Sequence, residues 1–153
     1  MGEWTAEPYF DDSGSSPFLE WMDGLDEITF LAVDSAIRNV LEARGIELSQ
    51  TSWMTPLGEG LHEFRIRQTA KALDQLFEAA GKGRPKGPNE VLVRIFVHFH
   101  GAKICLLLGG YDKQDDASEK RQNREIKLCR QRLAAWRRRE AGGGKDSGRK
   151  KRR

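Results

Sequence analysis

The apolar positions change period several times along the chain, and each change marks an element. Phe18, Trp21, Met22 and Leu25 recur at three and four residues. Ser16 and Pro17 supply an N-cap and a first helical residue, so a helix is predicted from Pro17. Phe30, Val33, Ile37, Val40 and Leu41 line one face of a second helix over 27–44, with Gly45 at its C-cap. These predict an αα-hairpin. WTAEPYF before it suits a short edge strand, since Pro8 removes a ladder donor.

The period then falls to two. In LHEFRIR, residues 61–67, His62, Phe64 and Ile66 alternate with Glu63, Arg65 and Arg67, the pattern of a strand with one core face and one charged face. Ala70, Leu73, Phe77 and Ala80 restore helical spacing for a short amphipathic segment, and 81–90 is a Gly/Pro loop. VLVRIFVHF, a turn near His100-Gly101, and KICLLL complete a three-stranded antiparallel unit. KICLLL is apolar on both faces, as a covered central strand requires. Ile126, Cys129, Leu133 and Trp136 then form the stripe of a basic amphipathic helix ending near Arg139. The remainder, AGGGKDSGRKKRR, has almost nothing to bury and is predicted to be a disordered basic tail over 141–153, behind one domain over 1–140. The fold class expected is α+β.

Composition narrows the setting. The 153 residues, 38% hydrophobic and 32% charged, suffice for one domain with a core. No run approaches the roughly 20 apolar residues of a membrane span. The acidic N-terminus lacks the features of a signal peptide. Cys105 and Cys129 form neither a disulfide framework nor a CxxC site, and are expected as buried thiols in a reducing compartment, the cytoplasm by default. The net charge of +3 hides an asymmetry: residues 1–60 hold 12 acids against 2 bases, and the remainder 11 acids against 24 bases. One surface therefore meets a polyanion, or the chain is simply dipolar.

Candidate chemistry sits on the strands. Arg65, Arg67 and Arg94 gather on one sheet face if the alternation holds, with Tyr111 and Lys113 close by. A guanidinium fork suits phosphate oxygens, although strand-borne arginines are also often solvated, or paired here with Glu63. His98 and His100, near the hairpin tip, are candidate general acids or bases because imidazole titrates near neutrality, or they are loop histidines without a role. No P-loop, HExxH or GxSxG pattern is present, and no metal or cofactor is expected.

Three motifs in order resemble one family. LGEGLHEFRIR resembles the "dGLyElR" signature of HigB-like toxins in the RelE/ParE superfamily. VRIFVHFHGAKICLLLGGYDK resembles the "yRvfyf…g..ivLLhgF.KK" segment that follows it, and REIKLCRQRL the closing "eiE.A..R" helix. The match covers residues 57–68 and 91 to about 136, and the αα-hairpin more loosely. The resemblance implies a small RelE-like α+β domain with two N-terminal helices on a twisted antiparallel sheet. It implies a toxin that enters the ribosomal A site and cuts messenger RNA by 2′-OH attack, without a cofactor. A helix-turn-helix antitoxin would neutralise it and provide its only link to operator DNA. Arg65 matches the arginine of "ElR", Arg94 that of "yRvfyf", Lys113 one lysine of the "KK" pair, and Tyr111 the aromatic place before it. Arg67, Lys120, Arg121 and Arg124 are the further RNA contacts expected.

The chain departs from the pattern at Asp112, which stands where the first lysine of the pair belongs, and Asp115 and Asp116 add negative charge. A carboxylate repels a phosphate by about 1 kcal/mol at 4 Å in bulk water, unless it pairs with Lys113 or Lys120. Residues 69–90 replace what is usually a tight turn. Alternatives are a ParE-like gyrase-binding toxin that cleaves nothing, and a non-catalytic RNA-binding or co-regulatory relic.

Overall fold

The computed structural model describes residues 2–146. Helix α1 (Pro17–Asp23) begins as its cap predicts, the Ser16 hydroxyl accepting the Leu19 N–H at 3.3 Å. Asp26 caps α2 (Glu27–Ala36) in the same way at 2.8 Å. The helical path continues through a π-helical stretch, Ile37–Leu41, into the short α3 (Glu42–Arg44). Gly45 stops it in the left-handed region, at φ +53°, where a Cβ would collide with the Trp4 ring. Val33, Ile37 and Leu41 of the predicted stripe are buried, but Phe30 is 41% exposed. The buried face of α2 centres on Ile28, Ala32, Val33 and Ala36, which leaves Phe30 well off its axis.

The sheet has five strands in the order β1-β5-β4-β3-β2. They are β1 (Thr5–Pro8), β2 (Met54–Gly58), β3 (Leu61–Gln68), β4 (Val91–His100) and β5 (Ile104–Asp112). The expected antiparallel unit is β3-β4-β5, but the sheet as a whole is mixed because β1 joins β5 in parallel. That pairing is invisible to local pattern, since parallel neighbours are joined by long crossovers. The outer edge of β1 is covered, with the Trp4 N–H bonded to the Glu42 carbonyl and the Ala6 N–H to its carboxylate, both at 2.8 Å. Strand β1 is the edge strand expected in WTAEPYF, whereas β2 is additional. Its Pro56 is tolerated because only β3 flanks it.

Strand β5 outlasts KICLLL and runs through Gly109 and Gly110. Here the glycines mark close approach, not a turn. A Cβ at Gly109 would meet Arg132 and Cys129, and one at Gly110 would meet the Trp21 ring. A register shift opposite Phe96/Val97 re-phases the strand, so Tyr111 faces the Gly109 side and Asp112 pairs with Val93 on the other.

The sheet buries both faces. Against α1, α2 and α4 (Ala70–Ala79) lie Phe64, Ile66, Val93, Ile95, Val97, Cys105 and Leu107. On the opposite face Leu61, Phe96, Leu106, Leu108 and Tyr111 pack with Cys129 and Leu133 of α5 (Glu119–Asp146). Both thiols are buried, and burial pushes Cys129 up to about 12. Helix α5 does not end near Arg139. It runs on through 141–146, since extending a formed helix needs only one more bond per residue ordered. The expected disordered tail is corrected to that extent, and the rest of it, 147–153, lies outside the described residues. Among the described residues no helix is long and apolar enough to cross a membrane.

The basic character of α5 proves partly structural. Arg130 donates to the Leu57 carbonyl at 2.7 Å and to that of Gly58 at 3.2 Å, and Arg137 to Glu59 at 3.0 Å, so both clasp the β2–β3 turn. Arg132 donates to the Leu108 carbonyl at 2.9 Å and Arg139 to that of Phe10 at 2.6 Å.

Candidate functional site

Helix α5 covers only one end of its sheet face. At the other end the strand pattern sets three residues in one row: Arg65 is the register partner of Arg94, and Arg94 that of Tyr111. Over this row lies a cleft of about 620 Å³, lined by Ser52, Trp53, Arg65, Arg67, Leu92, Arg94 and Lys113. Four of these seven carry positive charge and none is acidic. Like charges directly opposite on adjacent strands destabilise a sheet, so Arg65 facing Arg94 breaks a local rule. Such conflicts concentrate at functional sites.

Arg94 forms the cleft floor at 6% exposure, above the 3% exposed Glu63. Its Nε lies 3.9 Å from Glu63 Oε1, beyond hydrogen-bond reach, and has no other partner among the described residues. Burial lowers the guanidinium below its ordinary range, against the opposing pull of Glu63. The second Glu63 oxygen accepts the Gln122 amide at 2.8 Å, which ties the start of α5 to the floor. Tyr111 is fully buried, its hydroxyl without a partner among the described residues. Phe96 stacks beside its ring, and the Arg121 guanidinium lies 5.0 Å from its centroid. Burial raises the phenol above 10, so at neutral pH it donates a proton rather than carrying charge. Among the described residues the Arg94 Nε and the Tyr111 hydroxyl are both buried without a hydrogen-bond partner, and of the two residues only Arg94 lines the cleft.

Lys113 continues the ladder, its N–H bonded to the Leu92 carbonyl at 2.8 Å, and lines the cleft from β5. Asp112 does not. Alternation turns it to the face of α1 and α2, where burial raises its carboxyl and its own oxygen accepts the Gln114 N–H. The repulsion expected of Asp112 therefore acts from behind the sheet. Asp116 caps the Ser118 N–H outside the cleft, and among the described residues Asp112 makes no ion pair with Lys113 or Lys120. Segment 69–90 packs on the far face too, with Lys82 reaching Glu27 at 3.3 Å and Arg84 reaching Asp74 at 2.6 Å, and it contributes nothing to the cleft wall.

The other expected residues divide. Arg67 joins the cleft, whereas Arg121 does not line it, lying over the Tyr111 ring and paired to Glu125 at 2.9 Å. Lys120 and Arg124 are exposed on the first turns of α5 and line no part of it. His98 and His100 are strand residues, not loop residues, because β4 extends to His100. They stack on each other at 6.0 Å and meet Trp136 edge-on at 5.5 Å and tilted at 4.5 Å, and His98 bonds the Gly60 carbonyl at 2.7 Å. His98 lies four residue steps from Arg94, about 13 Å along the strand. The two histidines and the arginine row are thus apart. Gln122, Ser52 and Trp53 were not expected at the site, and Glu63 was expected only as a partner of the arginines. A buried acid beside strand arginines was legible at Glu63, but Trp53 depends on a strand that the pattern does not show.

The histidines carry a pH prediction. Burial pushes His62, His98 and His100 below the ordinary 6.5, helped by Arg137 beside His98 and by His98 beside His100. A histidine kept neutral in the fold stabilises it fully above its unfolded pKa, and that contribution is lost as pH falls through the lowered folded value. Urea midpoints are expected to hold between pH 7 and 8 and to fall steadily below about 6.5. Asp112 acts in the opposite sense, favouring the fold at low pH and losing that contribution as pH rises through its raised value. A flat urea profile from pH 8 to 5 would show that the histidines are not held neutral.

Compared with protein-family models and with curated protein sequences, the chain matches none.

Proposed function

We propose that the chain is a RelE-like toxin of a type II toxin–antitoxin pair, an endoribonuclease that cuts messenger RNA on the ribosome. The observation that carries this is the register pair Arg65–Arg94, with Arg67 and Lys113 beside it, in a cationic cleft whose wall, among the described residues, holds no carboxylate. In the reaction a base takes the proton of a ribose 2′-OH. Its oxygen attacks the adjacent phosphorus, the bond to the 5′ oxygen breaks, and an acid protonates that leaving oxygen. Negative charge builds on the phosphorane oxygens. Arg65, Arg94 and Lys113 supply donors to them, and fixed donors in a partly closed site stabilise such charge far better than water does. Tyr111, fully buried next to Arg94 on the neighbouring strand, supports that arginine from within the fold and does not line the cleft. Arg67, Lys120, Arg121 and Arg124 extend the positive surface for the strand. The partners in this proposal are the ribosome, the message and a helix-turn-helix antitoxin, in the cytoplasm.

Brief induction in a bacterial host, followed by mapping of new RNA 5′ ends, tests it. New ends are expected inside reading frames at fixed codon positions. Growth arrest without such ends would replace the nuclease with a gyrase-binding toxin. No arrest and no ends would leave the non-catalytic relic.

A further inference from the structure

The cationic residues account for only part of the cleft. About 620 Å³ is the size of a site for a small organic ligand and far exceeds what one phosphate fills. Lys113 and Arg94 lie on β5 and β4, whereas the opposite wall, beyond β3, is Ser52 and Trp53 at the entrance to β2. From β2 to β5 is three strand spacings, about 14 Å. The wall thus turns from charged to aromatic across the sheet.

Trp53 is held firmly. Its carbonyl accepts the Arg65 N–H at 2.7 Å, which fixes the indole's backbone to the strand bearing the first cleft arginine. Its N–H bonds the Thr51 hydroxyl at 3.1 Å. Its ring stacks on Phe64 at 5.8 Å and 22° and packs at the rim of the core, yet it is only half-buried and lines the cleft. A rigid, backed aromatic beside guanidiniums that take phosphate is the arrangement by which single-stranded nucleic acid is bound. The cations follow the backbone, and the ring offers a surface on which one base stacks. Bases of a duplex are already stacked on one another and cannot reach such a surface.

We propose that Trp53 forms a base-stacking subsite: when a phosphate sits at Arg94, Arg65 and Lys113, an unpaired base of the same RNA strand stacks on the Trp53 indole. The subsite rests on the nuclease reading of the cleft and adds its substrate class, an unpaired RNA segment. It predicts little preference among the four bases at that position, because every base has a π-face.

The test is binding of an unstructured RNA decamer by the full chain at low salt, beside a decamer of the same backbone without bases. Wild type is expected to bind the intact strand about tenfold more tightly than the abasic one. Trp53→Ala should lose that tenfold on the intact strand and nothing further on the abasic strand, and Trp53→Phe should keep most of it. Arg65→Ala should lower the salt slope by about one for both strands, whereas the tryptophan variants leave it unchanged. Equal binding of the intact strand by Trp53→Ala and wild type, with the Arg65→Ala slope still reduced, removes the subsite and leaves the phosphate site standing. Equal loss on both strands makes Trp53 a fold residue and also overturns the proposal. An unchanged slope in Arg65→Ala would remove the phosphate site itself, and the subsite with it.

Discussion

Replacing Arg94 by alanine is expected to remove RNA cleavage and to weaken the fold together, for two separable reasons. The guanidinium is a fixed donor at the cleft floor, and losing one such donor lowers turnover by roughly 10²–10³. It also faces Glu63, 3% exposed, and removing one partner of a buried pair leaves the other charge uncompensated, a loss of about 3–5 kcal/mol. Urea unfolding and mapped RNA 5′ ends read the two effects independently. Adding Glu63→Gln to Arg94→Ala neutralises the stranded carboxylate, keeps an acceptor for Gln122, and is expected to restore much of the stability but none of the cleavage. Arg65→Ala separates them from the other side. Its side chain is exposed and holds only a long 3.4 Å bond to Thr55, so its stability should stay within about 0.5 kcal/mol of wild type while cleavage falls. Full cleavage by a folded Arg94→Ala protein would take the residue out of the chemistry. Unchanged stability in that variant would show that Glu63 does not depend on it.

Why the arginine row was legible from sequence while its surroundings were not follows from what local pattern encodes. Period-two alternation in LHEFRIR and VLVRIFVHF placed Arg65 and Arg94 on one face, and the antiparallel register confirmed that they are partners. The cap at Ser16, and the stripe at Leu73 and Phe77, report local chemistry in the same way. Three other features were hidden because they depend on partners distant in the chain. Strand β1 was legible as a short edge strand, but its parallel pairing with a strand about a hundred residues later was not. Strand β2 brings Trp53 to the cleft, but its Pro56 and Gly58 read as a turn. The shift opposite Phe96/Val97 reverses which of Asp112 and Lys113 meets the cleft, and a bulge leaves no mark in hydrophobic period. The same holds for the histidines, whose role is set by Trp136 from another element.

Ending the chain at residue 117, before α5, is expected to abolish cooperative unfolding altogether, although everything removed reads as a charged helix and a tail. Among its last elements the chain carries many arginines and lysines, so a purely electrostatic role would predict only weaker RNA binding from this truncation. The packing says otherwise. Leu61, Phe96, Leu106, Leu108 and Tyr111 are each at most 3% exposed, and their cover on this face includes Cys129 and Leu133. At about 1.5–3 kcal/mol for each large apolar side chain kept from water, the stabilisation lost is comparable with the whole 5–15 kcal/mol of an ordinary domain. The clasp of Arg130 and Arg137 on the β2–β3 turn and the Gln122 tie to Glu63 go with it, so the cleft would lose its floor as well as the sheet its cover. Ending the chain at residue 140 keeps Cys129, Leu133, Trp136 and Arg139, and a cooperative urea transition near that of the full chain is expected. A cooperative transition in the 117-residue chain would make α5 an accessory to a sheet that folds without it. Loss of the transition at 140 would assign a structural role to the last residues of α5 and the segment after them.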